Sequence, residues 1–442
     1  MSSSDAPAAA AVPSPRRAAL LRLTGAEPHE LAAALWSFVY FFALLAAYYV
    51  LRPIRDEMAI QVGQARLHEV FTLVFVTMLA ATPVFGWLTG RFPRRRLLPW
   101  LYAFFAANLA GFYVLLAAGG TQTPAVAMGF FVWVSVFNLF AVSVFWSLMA
   151  DLFSTAQARR LYGFVSAGGT AGALAGPTLT AGLVTVVGAK GMTLVSAALL
   201  LVTIVAIVRL RRWAAANDSG PSKDPEATLP GGLISGITDI LRSPYLIGIC
   251  AFLLLYSLLS TFLYFQQTEL VPAAIKDSAE RTRLLALVDV AVNVLTLAVQ
   301  VLAFGALIRR LGTTFLLAAM PVVSIVGFAL LATYPVLATL VAFGVLRRAG
   351  EYALSKPARE TLFNVLPPEQ KYKAKNVIDT VVHRGGDMAS SWIFAGFKSM
   401  GLSLTAMSWL AVPLAGAWLG VALAMGRAAR RRTAAAEGPA QG

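Results

Sequence analysis

The chain has 442 residues, 58% hydrophobic and 13% charged, which excludes a soluble globular protein, where about a quarter of residues carry charge. Its formal charge of +15 does not mark a nucleic-acid binder, because the cations fall in short clusters between apolar runs. One cysteine, Cys250, and three histidines, His29, His68 and His383, exclude an internal disulfide and a thiolate metal site, and no His and carboxylate group has zinc-ligand spacing along the chain.

Residues 1–30 are rich in Ala, Pro and Ser with Arg16, Arg17 and Arg22, and are expected to form a disordered cytoplasmic tail rather than a cleaved signal peptide. Twelve apolar segments of spanning length follow. In the first half they run near Leu31 to Tyr49, Val70 to Leu88, Leu97 to Ala118, Val126 to Met149, Phe164 to Val187 and Met192 to Val208. Residues 209–243 form a polar stretch containing NDSGPSKDPEATLPGG, expected to be a flexible cytoplasmic linker. The second half runs near Tyr245 to Phe265, Leu284 to Ile308, Phe315 to Thr333, Val336 to Leu354, Asn376 to Phe397 and Leu402 to Met425, before a tail over 427–442. With both termini inside, about 25 of the 36 Lys+Arg fall in inner loops and tails and about 6 in outer loops, an asymmetry that orients the chain.

Charged and polar groups inside spans are costly unless they meet a partner or a wet cavity, so each is a candidate for function. At the end of the first span, AAYYVLRPIRDEMAI places Tyr48, Arg52 and Arg55 on one helical face, suited to a phosphate or carboxylate; the alternative is a helix end marked by charges at the outer interface. The eighth span carries Asp289, Asn293, Thr296 and Gln300 as one polar stripe, facing a cavity or making interhelical hydrogen bonds. In the tenth, Arg347 is positioned to pair with Glu351 at i, i+4, leaving Arg348 for a substrate anion or another carboxylate. In the fifth, Gly168, Gly172 and Gly176 make a smooth face for close helix contact.

The two halves repeat each other: GWLTGRFPRRRLL, residues 86–98, follows the second span and FGALIRRLGTTFLL, residues 304–317, follows the eighth. The first copy, with Arg91 and Arg95, resembles the G-x-L-a-D-R-x-G-R-R loop of the major facilitator superfamily, Gly90 standing where the family has its acid. This implies an all-α integral membrane fold of about 12 transmembrane helices in two six-helix bundles, 31–208 and 244–426, around a midplane cavity. Gly163, Gly172, Gly176 and Pro177 are similar to the G-x8-G-x3-G-P motif of facilitator antiporters, with Thr180 and Ala181 in place of its closing glycines.

Three segments also resemble the nucleotide (ATP:ADP) translocases. YYVLRPIRDEMAI is similar to their L-R-x-x-K-D segment, with Arg55 at a substrate-binding lysine position. FWSLMADLFSTAQARRLYGFVSAGG, residues 145–169, is similar to F-W-x-x-x-N-x-x-T-x-x-E-A-K-R-F-Y-P: Asp151 replaces the Asn and Gln157 the Glu, while Arg160 and Tyr162 agree. SKPARETLFNVLPPEQKYKAKNVIDTVVHRGGD, residues 355–387, is similar to T-K-E-x-x-Y-x-P-L and K-x-K-A-x-I-D-V-V, placing Lys375 and Asp379 at family positions and leaving Arg384 as the nearest cation to the shortened end. The resemblance implies a bacterial inner-membrane exchanger of an anionic solute; taken with the intramembrane polar residues and the facilitator loop, the expected binding residues are Arg52, Arg55, Tyr48, Asn293, Arg348 and Arg384, and Arg91, Arg95, Asp151, Arg160, Lys375 and Asp379 are expected in gating loops. The chain is expected to act as a monomer without cofactor or metal, its partners being the bilayer and a small-molecule substrate. Two alternatives stay open: a proton-coupled carrier using Asp289, and a non-transporting membrane scaffold.

Overall fold

The computed structural model describes residues 15–91, 94–119, 123–217, 233–302 and 304–437. Helix α1 (Pro15–Thr24) precedes the spans, so the stretch expected to be a disordered tail is helical over 15–24 and turns over 25–30; residues 1–14 lie outside the described residues. The first half comprises α2 (Leu31–Val62), α3 (Leu67–Arg91), α4 (Arg94–Ala117), α5 (Pro124–Leu152) and α6 (Thr155–Ala216). At 62 residues, α6 holds two spans that meet at Gly188, whose φ of 67° is a left-handed conformation open to glycine.

The second half comprises α7 (Leu233–Arg242), α8 (Pro244–Ala274), α9 (Ser278–Leu302) and α10 (Phe304–Thr333). A second left-handed glycine, Gly312 with φ 73°, divides α10, so that residues 304–311 belong to the eighth span and 313–333 form the ninth. The tenth span is α11 (Leu337–Gly350), a π-helical turn (Glu351–Ser355) and α12 (Lys356–Leu362). The eleventh has the same plan: α13 (Pro368–Val377), a π-helical turn (Ile378–Val382) and α14 (His383–Ser399). The last is α15 (Leu404–Glu437). Among the described residues nine helices are long and apolar enough to cross a membrane; α6 counts twice and the two π-interrupted spans complete twelve.

Three expected boundaries move. The first span does not end at Tyr49: its helix runs on through RPIRDE to Val62, because those charges find partners and can stay buried in the bundle. The expected linker is helical at both ends, α6 continuing to Ala216 and α7 packing on α13; residues 218–232 lie outside the described residues. The expected tail from 427 is helical to Glu437, as its Ala and Arg content favours.

Within the first half, the glycine face of α6 meets α2 backbone to backbone. A Cβ on Gly168 would lie 2.5 Å from Phe38 O and one on Gly176 2.7 Å from Ala46 O; at Gly172 it would overlap Phe42 O. That approach lets Thr180 donate to Val50 O (3.1 Å) and Ser196 to Ala47 O (3.0 Å).

An even number of spans puts both chain ends on one side, the near face. Polar contacts between the halves gather toward the opposite, far face. Buried Glu57 on α2 accepts from Arg281 Nε (2.9 Å) and Nη2 (2.6 Å) and from Ser278 Oγ (2.7 Å) on α9. Gln61 donates to Ser278 Oγ (3.3 Å), Gln64 to Phe265 O (3.2 Å) and Trp392 to Thr72 Oγ1 (3.0 Å).

Candidate functional site

Continuation of α2 past Tyr49 carries Arg52 and Arg55 into the space between the halves. There they line a cavity of about 290 Å³, walled by the first, second and fourth spans on one side and the seventh, eighth, tenth and eleventh on the other. Five guanidiniums stand on its wall, from Arg52, Arg55, Arg347, Arg348 and Arg384, against the carboxylates of Asp56 and Asp387. Aromatic rings, among them Phe71, Phe131, Tyr256 and Tyr264, supply the apolar wall.

Each cation is held in its own way. Arg55 pairs with Asp56 (2.7 Å), which also accepts from Tyr264 OH (3.2 Å), and lies over the Phe131 ring at 5.0 Å. Arg52 lies over Tyr49 at 5.8 Å and reaches Asp289 at 3.7 Å. Arg348 pairs with the same Asp289 oxygen at 2.5 Å. Arg384 is 3.7 Å from Asp387, which accepts from Ser257.

The expected Arg347–Glu351 pair does not form among the described residues. Glu351 opens the π-helical turn, whose wider winding departs from i, i+4 geometry, and Arg347 instead turns to α8, donating to Ser260 Oγ (2.5 Å) and Tyr256 O (3.3 Å).

The polar stripe of α9 divides. Asp289 sits behind the cavity wall as counter-ion to Arg52 and Arg348, while Asn293 lies outside the lining and donates to Ala173 O on α6 (2.8 Å). Thr296 is not on the lining, and Gln300 donates to Tyr352 O (3.2 Å). Tyr48 is buried against Tyr49 rather than facing the cavity. Asn293, Thr296, Gln300 and Tyr48 thus lie off the cavity lining, and Asn293 and Gln300 make interhelical hydrogen bonds instead.

The loop residues lie at the near face. Ser154 and Gln157 form a reciprocal cap on α6, and Gln157 Nε2 donates to Glu30 (2.8 Å), which also pairs with Arg160 (3.0 Å). A glutamate at 157, as in the translocases, would set two carboxylates together here. Burial raises the Glu30 carboxyl pKa, yet the Glu27 N–H, Gln157 and Arg160 outweigh it and hold the group below the ordinary range. Glu27, His29 and Glu30 have ligand atoms within 4.8 Å of one another, but Arg160 pairs with both acids. Lys375 pairs with Glu360. Arg91 and Asp379 are exposed, Asp151 lies in the last turn of α5, and the Arg95 side chain lies outside the described residues.

What the sequence reading missed is α8. Tyr256, Ser260, Tyr264 and Gln267 recur at i, i+4, i+8 and i+11 and all line the cavity, a stripe as regular as that on α9. Hydroxyl and amide groups on an apolar helix were its signal.

The sequence matches the family model of the Major Facilitator Superfamily over residues 31–364. The chain belongs to that superfamily. Among solved structures this facilitator is similar to the nucleoside transporter NupG, at 14% identity and TM-score 0.61 over 90% of this chain and 98% of that one. It is also similar to a bacterial homologue of the iron transporter ferroportin in an inward-facing state, at 16% identity and TM-score 0.62 over 89% and 100%. An auto-inhibited POT family peptide transporter gives 15% and 0.59 over 90% and 96%. No curated protein matches the sequence. At these identities the structural likenesses carry the fold alone; with the family match they make the chain a multi-pass secondary membrane transporter.

Proposed function

We propose that this facilitator exchanges anionic organic solutes across a bacterial inner membrane by alternating access, with the near face cytoplasmic. The observation that carries the reading is the cationic wall shared by both halves: Arg52 and Arg55 from one, Arg347, Arg348 and Arg384 from the other. An anion seated among them bridges the halves, so binding energy couples directly to their rocking. Resemblance to the nucleotide translocases, and rings beside the guanidiniums, favour a phosphate-bearing solute with a planar group. The cations clustered in near-face loops supply the orientation. Contacts gathered at the far face fit a state that opens toward the cytoplasm.

The test is thermal stabilisation and proteoliposome flux across mono-, di- and triphosphate nucleotides, sugar phosphates and neutral nucleosides. Anionic probes are expected to bind. Arg55→Ala is expected to weaken them roughly ten- to a hundredfold, the loss of about 1.5–3 kcal/mol from a charge-assisted hydrogen bond, and Arg55→Lys to restore part of it. Equal binding of the anionic probes by parent and Arg55→Ala would overturn the reading.

A further inference from the structure

The two halves do not merely share the cationic wall; one buried carboxylate holds a cation from each. Asp289 is 1% exposed, and its Oδ1 faces Arg348 Nη2 of the tenth span at 2.5 Å and Arg52 Nη1 of the first at 3.7 Å. Both arginines line the cavity, while Asp289 does not. Its second oxygen, Oδ2, is buried without a hydrogen-bond partner among the described residues, and so is Arg348 Nε. A resting structural pair would close fork to fork, using both oxygens and two N–H groups of one guanidinium. Here one oxygen is divided between two arginines and donor capacity is left over.

We propose that Asp289 is a displaceable internal counter-ion: it offsets one of the two charges of Arg52 and Arg348 when the site is empty and yields both arginines to an arriving anion. This rests on the anionic-substrate reading. An uncompensated guanidinium is costly in a low-dielectric interior, so a cationic site without counter-ion resists occlusion as the halves rock. With Asp289 in place the excess charge of this arginine pair is halved, and the carrier returns unloaded as well as loaded. The wild-type protein therefore supports net flux beside exchange. Asp289 also competes with the substrate, so part of each anion's binding energy goes into displacing it.

The experiment uses purified protein in proteoliposomes, with AMP, ADP and glucose 6-phosphate as anionic probes and uridine as the neutral control. The probe that most stabilises the parent is followed in two modes, net efflux into probe-free buffer and exchange against external probe. Asp289→Asn is expected to bind that probe about tenfold more tightly and to retain exchange, while net efflux falls about tenfold or more. Asp289→Asn/Arg348→Gln restores the parent's formal charge; it is expected to bind the probe more weakly, for want of one guanidinium, and to recover the parent's ratio of net efflux to exchange. It serves as the test by itself if the single variant does not fold, since net efflux then has to persist beside exchange. The proposal is overturned if Asp289→Asn weakens binding or slows both modes alike, as a structural role requires, or if the double variant exchanges without net efflux. If the parent binds no anionic probe and Arg55→Ala changes nothing, the anionic reading itself falls; if the parent moves an anion but Asp289→Asn loses both modes together, the counter-ion proposal alone falls.

Discussion

Replacing Glu57 with glutamine is expected to release the far face. Glu57 is fully buried, receives both N–H groups of the Arg281 fork and the Ser278 hydroxyl, and so clamps the first span to the eighth across the two halves. Removing one member of a buried pair costs up to about 3–5 kcal/mol when the other is stranded. Arg281 is not wholly stranded, since it keeps the carbonyls of Lys276 (2.7 Å) and Ile275 (3.3 Å), and a glutamine oxygen still accepts one bond. The loss is therefore nearer the strength of one charged hydrogen bond, about 2–3 kcal/mol. If the clamp exists only while the far face is closed, that energy moves the ratio of far-closed to far-open molecules by roughly 30- to 150-fold. Spin labels at Arg66→Cys and Lys276→Cys in a Cys250→Ser background sit on opposite halves at this face and report their separation. A longer distance in Glu57→Gln, matched by Arg281→Gln and not increased in the double variant, is expected. An unchanged distance with reduced thermal stability would refute the reasoning, since the clamp would then hold in both states.

At Gly172 a methyl group has no space against Phe42 O, so Gly172→Ala is expected to destabilise the first half by about 1–3 kcal/mol, seen as a lower thermal unfolding midpoint in detergent. Gly182, whose Cβ position is open, is the control: Gly182→Ala should leave the midpoint unchanged or raised. Asn293→Leu removes the bond to Ala173 O, worth about 0.6–2 kcal/mol in a membrane interior, and is expected to change transport rate more than substrate affinity; an affinity loss equal to the rate loss would place Asn293 in the binding site. Because the folded state holds Glu30 below its ordinary range, its contribution is present above about pH 4.3 and is lost as pH falls through the lowered value. Protection factors around Gly25 and Arg160, corrected for the intrinsic pH dependence of amide exchange, should therefore fall on acidification in the parent and be pH-independent over that window in Glu30→Gln.

The charged end of the first span shows how far pattern alone reaches. Tyr48, Arg52 and Arg55 share a face by spacing, but spacing left open whether RPIRDE ended the helix at an interface. Partners distant in sequence settled it: Tyr264 for Asp56, Arg281 for Glu57 and Asp289 for Arg52. The stripe on α9 is similar, since one face contains both the counter-ion Asp289 and the interhelical donor Asn293, separated by the depth at which each meets a neighbour.

By itself the sequence determined the lipid-solvated class, the twelve spans, the six-plus-six repeat and the smooth glycine face of α6, because each depends on local composition or on a period along one helix. Only the tertiary structure decided which cations share a cavity, that Arg347 turns to α8 rather than to Glu351, and that Arg348 and Arg52 find their anion in Asp289. Those are choices among partners 59 to 237 residues apart, made by helix packing and by π-helical turns that shift register within a span. A period in one helix says which residues look the same way; what they look at depends on the other eleven.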